Sequence, residues 1–118
     1  ESLAPWLKRL VADPEMISWN YVQAAATTRK DAALREGQQS LAEALFPDGV
    51  QSFDVAAQLR RVSCPARIIF GKKDRIIPWR HALEAPGCVG LHLFDGLGHM
   101  PHLEDPGAVA RLLRAAHS

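Results

Sequence analysis

Two stretches decide the fold of this chain: Ala66-Arg67-Ile68-Ile69-Phe70-Gly71-Lys72-Lys73-Asp74-Arg75-Ile76-Ile77-Pro78, and further on Val89-Gly90-Leu91-His92-Leu93-Phe94-Asp95-Gly96-Leu97-Gly98-His99. Each opens on a short β-prone apolar run, closed by Gly71 in the first and by Asp95-Gly96 in the second. Between the runs, Pro78 to Ala85 predicts a short helix. Asp105-Pro106 opens a final one, with Val109, Leu112, Leu113 and Ala116 on one side. Strand, helix, strand, helix is the grammar of a parallel α/β sheet with a right-handed crossover.

Upstream of Pro65 the signals are helical. Ser2 is placed to cap a short helix with Pro5 in its first turn and Trp6, Leu7, Leu10 and Val11 as its apolar stripe. Asp13-Pro14-Glu15 predicts a second helix from Pro14 to about Ala26. A third, opened near Thr28 or Asp31, carries Ala33, Leu34, Leu41, Leu45 and Phe46, is weak and prone to kink around Gly37 to Ser40, and ends at Pro47-Asp48-Gly49. A short helix from about Asp54 to Leu59 leads into the strands. Two parallel strands do not make a stable sheet, because parallel sheets need several strands and cover on both faces. The missing strands are expected from an upstream part of the same protein or from a second copy of this chain, and exposed strand edges favour a homodimer.

The 118 residues carry 14 Lys or Arg against 13 Asp or Glu, a formal net charge of +1. That balance argues against a polybasic nucleic-acid-binding arm and against an acidic tail. An apolar share of 47% with 23% charged residues is ordinary globular material. No apolar run approaches the roughly 18 residues of a membrane helix, and no signal-peptide pattern opens the chain. The expectation is a cytoplasmic protein with neither a membrane nor a nucleic-acid partner. Cys64 and Cys88 have no CxxC spacing and are expected as buried, reduced thiols. A first residue of Glu1 in place of Met is read as a chain that begins partway through a longer protein.

The chemistry concentrates where the two strands end. Open α/β sheets place their ligands at the carboxyl edge of the strands, and there the first loop presents Asp74 and the second His99. Such a pair supplies the orienter and the base of a nucleophilic triad: the carboxylate sets the imidazole tautomer and stabilises the imidazolium, and the imidazole takes the nucleophile's proton. Gly96 and Gly98 are read as letting the second loop turn the ring inward. Each residue also has a plainer reading, Asp74 as a turn or cap residue and His99 as a solvated turn residue. Their pairing at one sheet edge favours function. A zinc site from His92, His99 and His102 lacks a converging geometry and is not expected. His81 and His117 read as helix-surface residues. Trp6, Trp19, Tyr21, Phe46 and Trp79 are candidates for an acyl pocket, with core packing the stronger expectation. Lys72 and Lys73 are a solvated pair or an attractor for an anionic substrate such as coenzyme A.

Phe70 to Pro78 (F-G-K-K-D-R-I-I-P) and Asp95 to Pro106 (D-G-L-G-H-M-P-H-L-E-D-P) resemble the acid-loop and histidine-loop motifs of the α/β-hydrolase superfamily. The resemblance is strongest from Val62 onward. Residues 1–58 are similar by position to the helical cap that the family inserts before its last strands. The resemblance implies an α/β fold of which this chain is the C-terminal part, with a cap or lid at 1–58 and the last two parallel strands and their helices at 59–118. It implies Asp74 as triad acid and His99 as general base. None of Ser2, Ser18, Ser40, Ser52, Ser63 and Ser118 lies in a G-x-S-x-G turn. Pro86-Gly87-Cys88-Val89-Gly90 lacks the first Gly and precedes a strand, so the nucleophile is expected upstream and the chain alone is expected to be inactive.

Asp74 to Leu83 together with Gly98 to Glu104 looks most like the α/β-hydrolase domain of the dihydrolipoyl acetyltransferase component of acetoin dehydrogenase. That likeness implies acyl transfer from lipoamide to coenzyme A within a multienzyme dehydrogenase complex. The lipoyl group and coenzyme A would be substrates of the parent, and no cofactor or metal would be bound by these residues. The alternatives are an ester or carbon-carbon bond hydrolase of the same fold, or a non-catalytic assembly module.

Overall fold

The computed structural model describes residues 3–115. The expectations for Ser2, Ala116 and His117 lie outside them. The helices are α1 (Ala4–Arg9), α2 (Trp19–Thr28), α3 (Ala32–Leu45), α4 (Val55–Leu59), α5 (Pro101–Glu104) and α6 (Pro106–Arg114). The strands are β1 (Ala66–Gly71) and β2 (Val89–Phe94), and single 3-10 stretches lie at Pro14–Met16, Pro47–Gly49 and Trp79–Glu84. β1 and β2 pair in parallel, Ala66 opposite Val89 through Gly71 opposite Phe94. Both strands therefore deliver their following loops to the same edge.

Local chemistry sets most boundaries. The Asp31 carboxylate accepts from the Leu34 N–H at the start of α3, Asp54 from the N–H groups of Ala56 and Ala57 at α4, and Asp105 from Ala108 at α6. At Pro47–Gly49 the chain leaves α3 through Asp48 (φ 55°) and Gly49 (φ 76°), the left-handed conformations that end a helix.

Three expectations about the helices are corrected, and one helix is new. The helix expected from Pro14 to Ala26 is two pieces. Asp13 caps the 3-10 turn through Glu15, Ile17 leaves helical conformation, and Ser18, extended at ψ 160°, caps α2 through the Tyr21 N–H. Two competing caps five residues apart override one apolar stripe. Around Gly37, α3 runs without a break. The segment between the strands is 3-10 rather than α, because Ala85, with ψ 140°, is held extended by the proline after it. Finally, α5 was not anticipated: Pro101 starts it, and Asp105 ahead of Pro106 leaves helical conformation and separates it from α6.

Burial is uneven. Leu7, Leu10, Val11, Ile17 and Val22 form the buried apolar cluster, with Tyr21, Met100 and Leu103 packed against it. The core thus joins the N-terminal segment to the loop and helix after β2. By contrast Ile68, Ile69, Phe70, Leu91, Leu93 and Phe94 are only half-buried, and Ala32 to Ala44 of α3 are exposed throughout. The radius of gyration, 16.5 Å, exceeds the roughly 13.5 Å of a compact domain of this length.

Core packing of the aromatics does not hold for Trp6 of α1, Trp19 of α2 or Phe46 just after α3, which are exposed, Trp19 at 69%. Trp6 instead carries the Arg29 guanidinium, and Trp79 carries the Lys72 ammonium and the Arg80 guanidinium. Cys64 and Cys88 are both free and exposed, which corrects the expectation of burial. They sit where the chain enters β1 and β2, beside a common cavity with Val62 and Pro65. Leu59 of α4 lines the same cavity, and Val89 beside Cys88 is buried. None of the described helices is long and apolar enough to cross a membrane.

Candidate active site

Asp74 follows β1 by three residues, and its N–H donates to the Gly71 carbonyl, closing a tight turn. Its carboxylate divides its work. Oδ1 accepts from the N–H groups of Ile76 (2.7 Å) and Ile77 (2.9 Å), and Oδ2 lies 2.8 Å from His99 Nδ1. The turn-residue reading and the partner-of-histidine reading are therefore both realised, on different oxygens. The Asp74 side chain is 2% exposed and that of His99 31%. Burial pushes the Asp74 carboxyl upward. The Ile77 N–H, the hydrogen bond to His99, the Ile76 N–H and the attraction of His99 in its protonated form together outweigh it, so the group titrates below the ordinary carboxylate value.

With Nδ1 directed at a carboxylate, the tautomer with its proton on Nδ1 leaves Nε2 as an acceptor. Nε2 has no hydrogen-bond partner among the described residues. A cavity of about 90 Å³ lies beside the pair, walled by Ile69, Phe70, Gly71, Ile77, Gly98 and Pro101. An imidazole so oriented is equipped to accept a proton from a hydroxyl or thiol brought to that cavity.

Two glycines bring the loops together by close approach. A Cβ on Gly71 would fall on the carbonyl oxygens of Leu97 and Gly98, and one on Gly98 would lie 2.7 Å from the Ala12 nitrogen. Neither has positive φ, so Gly98 serves here by lacking a side chain rather than by a special backbone conformation. Around Gly96 nothing lies within 4 Å of such a Cβ.

Sequence reasoning missed the strap that holds the second loop. The His99 N–H donates to the Leu10 carbonyl at 2.9 Å. Glu104 accepts from the N–H groups of Gly98, Met100 and Ala12, and the Arg75 guanidinium reaches the Ala12 carbonyl at 3.4 Å. The available signal was an acid at the end of a proline-started turn five residues after His99.

The other candidates stay apart from the pair. His92 points at Arg67 (3.5 Å), and His102 and His81 are exposed. No group of three or more His, Cys, Asp or Glu is placed to hold a metal ion among the described residues. Lys72 is engaged by Asp95 at 2.6 Å as well as by Trp79. Cys88 directly precedes β2 and His99 follows it, which puts them at opposite ends of a strand roughly 20 Å long.

Residues 2–112 match the model of the alpha/beta hydrolase family. A putative carbamate hydrolase RutD of Pseudomonas syringae is 35% identical over 56% of this chain and 27% of its own length. The dihydrolipoyllysine-residue acetyltransferase component of an acetoin cleaving system from Cupriavidus necator is 27% identical over 95% of this chain and 30% of its own length. The epoxide hydrolase EphH of Mycobacterium tuberculosis is 30% identical over 64% of this chain and 35% of its own length. The chain thus spans about a third or less of the length of these relatives. With the family model covering nearly all its residues, the chain belongs to the alpha/beta hydrolase family.

Proposed function

We propose that this chain is the C-terminal part of an alpha/beta-hydrolase-fold enzyme, with Asp74 as triad acid and His99 as general base acting on a nucleophile supplied from outside these residues. The single observation that carries the reading is the 2.8 Å contact of His99 Nδ1 with a buried carboxylate oxygen, beside a cavity that Nε2 can serve. As the nucleophile's oxygen attacks an acyl carbon, its proton passes to Nε2 and the Asp74 carboxylate stabilises the imidazolium. The imidazolium then protonates the leaving group, and an acyl-enzyme remains.

In the acetyltransferase form of this reading the leaving group is a lipoamide thiol. Coenzyme A, deprotonated by His99, then takes the acyl group and the nucleophile regains its proton. Support for that form comes from the similarity to acetoin-system acetyltransferases, which runs through the helical half, at 95% and 87% of the chain. The hydrolase relatives support ester or related hydrolysis as the second reading, in which water replaces coenzyme A. Residues 1–58 serve as the cap and 59–118 as the end of the catalytic core. The chain works in the cytoplasm, inside a multienzyme dehydrogenase complex in the acetyltransferase case, and is inactive without the upstream part.

The test is made on the intact enzyme. Asp74→Asn should lower turnover by about 10⁴-fold and His99→Ala by about 10⁶-fold, each with the fold retained. Labelling of the nucleophile by a fluorophosphonate should slow in parallel. Supplying an acyl-dihydrolipoamide with and without coenzyme A separates transfer from hydrolysis. Near-native turnover in His99→Ala would sink the assignment.

A further inference from the structure

The His99 backbone is fixed from outside its own loop. Its N–H donates to the Leu10 carbonyl, and the N–H groups on either side, of Gly98 and Met100, both donate to Glu104 Oε1, at 2.8 and 3.3 Å. Glu104 Oε2 accepts from Gly98 again (3.0 Å) and from Ala12 (2.7 Å), a residue 92 positions away in the chain. The carboxylate is half-buried, and no Lys, Arg or His pairs with it among the described residues. Its charge is met by backbone N–H groups alone. A carboxylate is acceptor-only on both oxygens and suits such a ring of donors, whereas a neutral amide would turn its NH2 against at least one of them.

The consequence lies in what is tied together. Ala12 and Leu10 follow α1 directly and precede α2, so one side chain joins the segment that carries the helical half to the N–H groups of both residues flanking His99. Packing follows the same seam: Leu10 and Val11 are buried against Met100 and Leu103, and the Gly98 backbone approaches Ala12 too closely for a Cβ between them.

We propose that Glu104 is a positioning residue for His99, clamping the histidine loop onto Leu10–Ala12 so that the imidazole holds its line to Asp74 and the helical half shares in setting that line. The inference rests on the reading of His99 as general base.

It is tested in the intact enzyme with Glu104→Gln, Glu104→Asp and His99→Ala, following turnover of an activated acyl ester. Glu104→Gln should lower kcat about 10- to 100-fold, the range expected when a reacting group is misplaced by an ångström or less, with KM changed by less than about threefold. Here kcat is taken per active site, titrated to completion with a fluorophosphonate, so that misfolded molecules do not count. Glu104→Asp, which keeps the charge on a shorter arm, should fall between. A residue that only held the protein together would reduce the number of titrated sites and leave kcat per site where it is. Wild-type kcat per titrated site in Glu104→Gln, with His99→Ala inactive, would overturn the positioning role and leave the base in place. Activity in His99→Ala would overturn the base assignment and the inference with it. If Glu104→Gln does not fold, Glu104→Asp decides: reduced kcat per titrated site with KM held supports the clamp, and wild-type values refute it.

Discussion

Replacing Gly71 by alanine should pull the two site loops apart. The added Cβ would fall on the Gly98 and Leu97 carbonyl oxygens and lie 2.5 Å from the Leu97 carbonyl carbon, all of them backbone atoms that cannot rotate away. It would sit about 1 Å inside the shortest ordinary contact, so the second loop must retreat by about that much. Asp74 and His99 ride on the two sides of this contact, so a shift of that size stretches their 2.8 Å hydrogen bond beyond useful length. Overpacking of this kind costs roughly 1–3 kcal/mol, which in a protein of 150–250 residues lowers Tm by about 2–4 °C per kcal/mol. Loss of alignment at the base should lower kcat by about 10²-fold or more. Gly96→Ala is the matched control, since nothing lies within 4 Å of its added Cβ and its φ is not positive. It should stay within about 0.5 kcal/mol of the parent. The assay is thermal unfolding and ester turnover of both variants in the intact enzyme. Wild-type Tm and kcat in Gly71→Ala would refute the claim that this backbone contact sets the distance between the loops.

Two further outcomes follow from the same geometry. Asp74 has a folded pKa below its unfolded one, so its contribution to stability is complete above the unfolded carboxylate value of about 3.9 and is lost as pH falls through the lower folded value. Asp74→Asn should remove that portion of the acid dependence of Tm, and an unchanged acid limb would contradict it. Because the strand side chains are only half-buried and Leu34, Leu41, Val55 and Leu83 are exposed, the isolated chain should associate into a dimer or larger assembly. Light scattering over a dilution series checks this, and a folded monomer at high micromolar concentration would refute it.

What the sequence determined by itself was everything encoded within a few neighbouring residues. Ile68-Ile69-Phe70 and Leu91-His92-Leu93-Phe94 are strands because their apolar, partly β-branched runs end in turn residues. Asp31, Asp54 and Asp105 start helices because each carboxylate reaches an N–H two or three residues on. Even the Asp74–His99 pairing was legible, since two strands in parallel register must deliver their loops to one edge. Tertiary structure alone decided the rest, because it depends on which distant groups meet. Nothing near Glu104 in sequence says that its carboxylate will close on Ala12, and nothing near Cys64 or Cys88 says that their thiols lie exposed. Only the folded chain shows that Gly98 is needed for its missing side chain and not for its backbone freedom, or that Leu7, Leu10 and Val11 pack against Met100 and Leu103 after β2. Propensity and capping act over one turn of chain, whereas burial and long-range hydrogen bonds are settled by packing between segments as much as 92 residues apart.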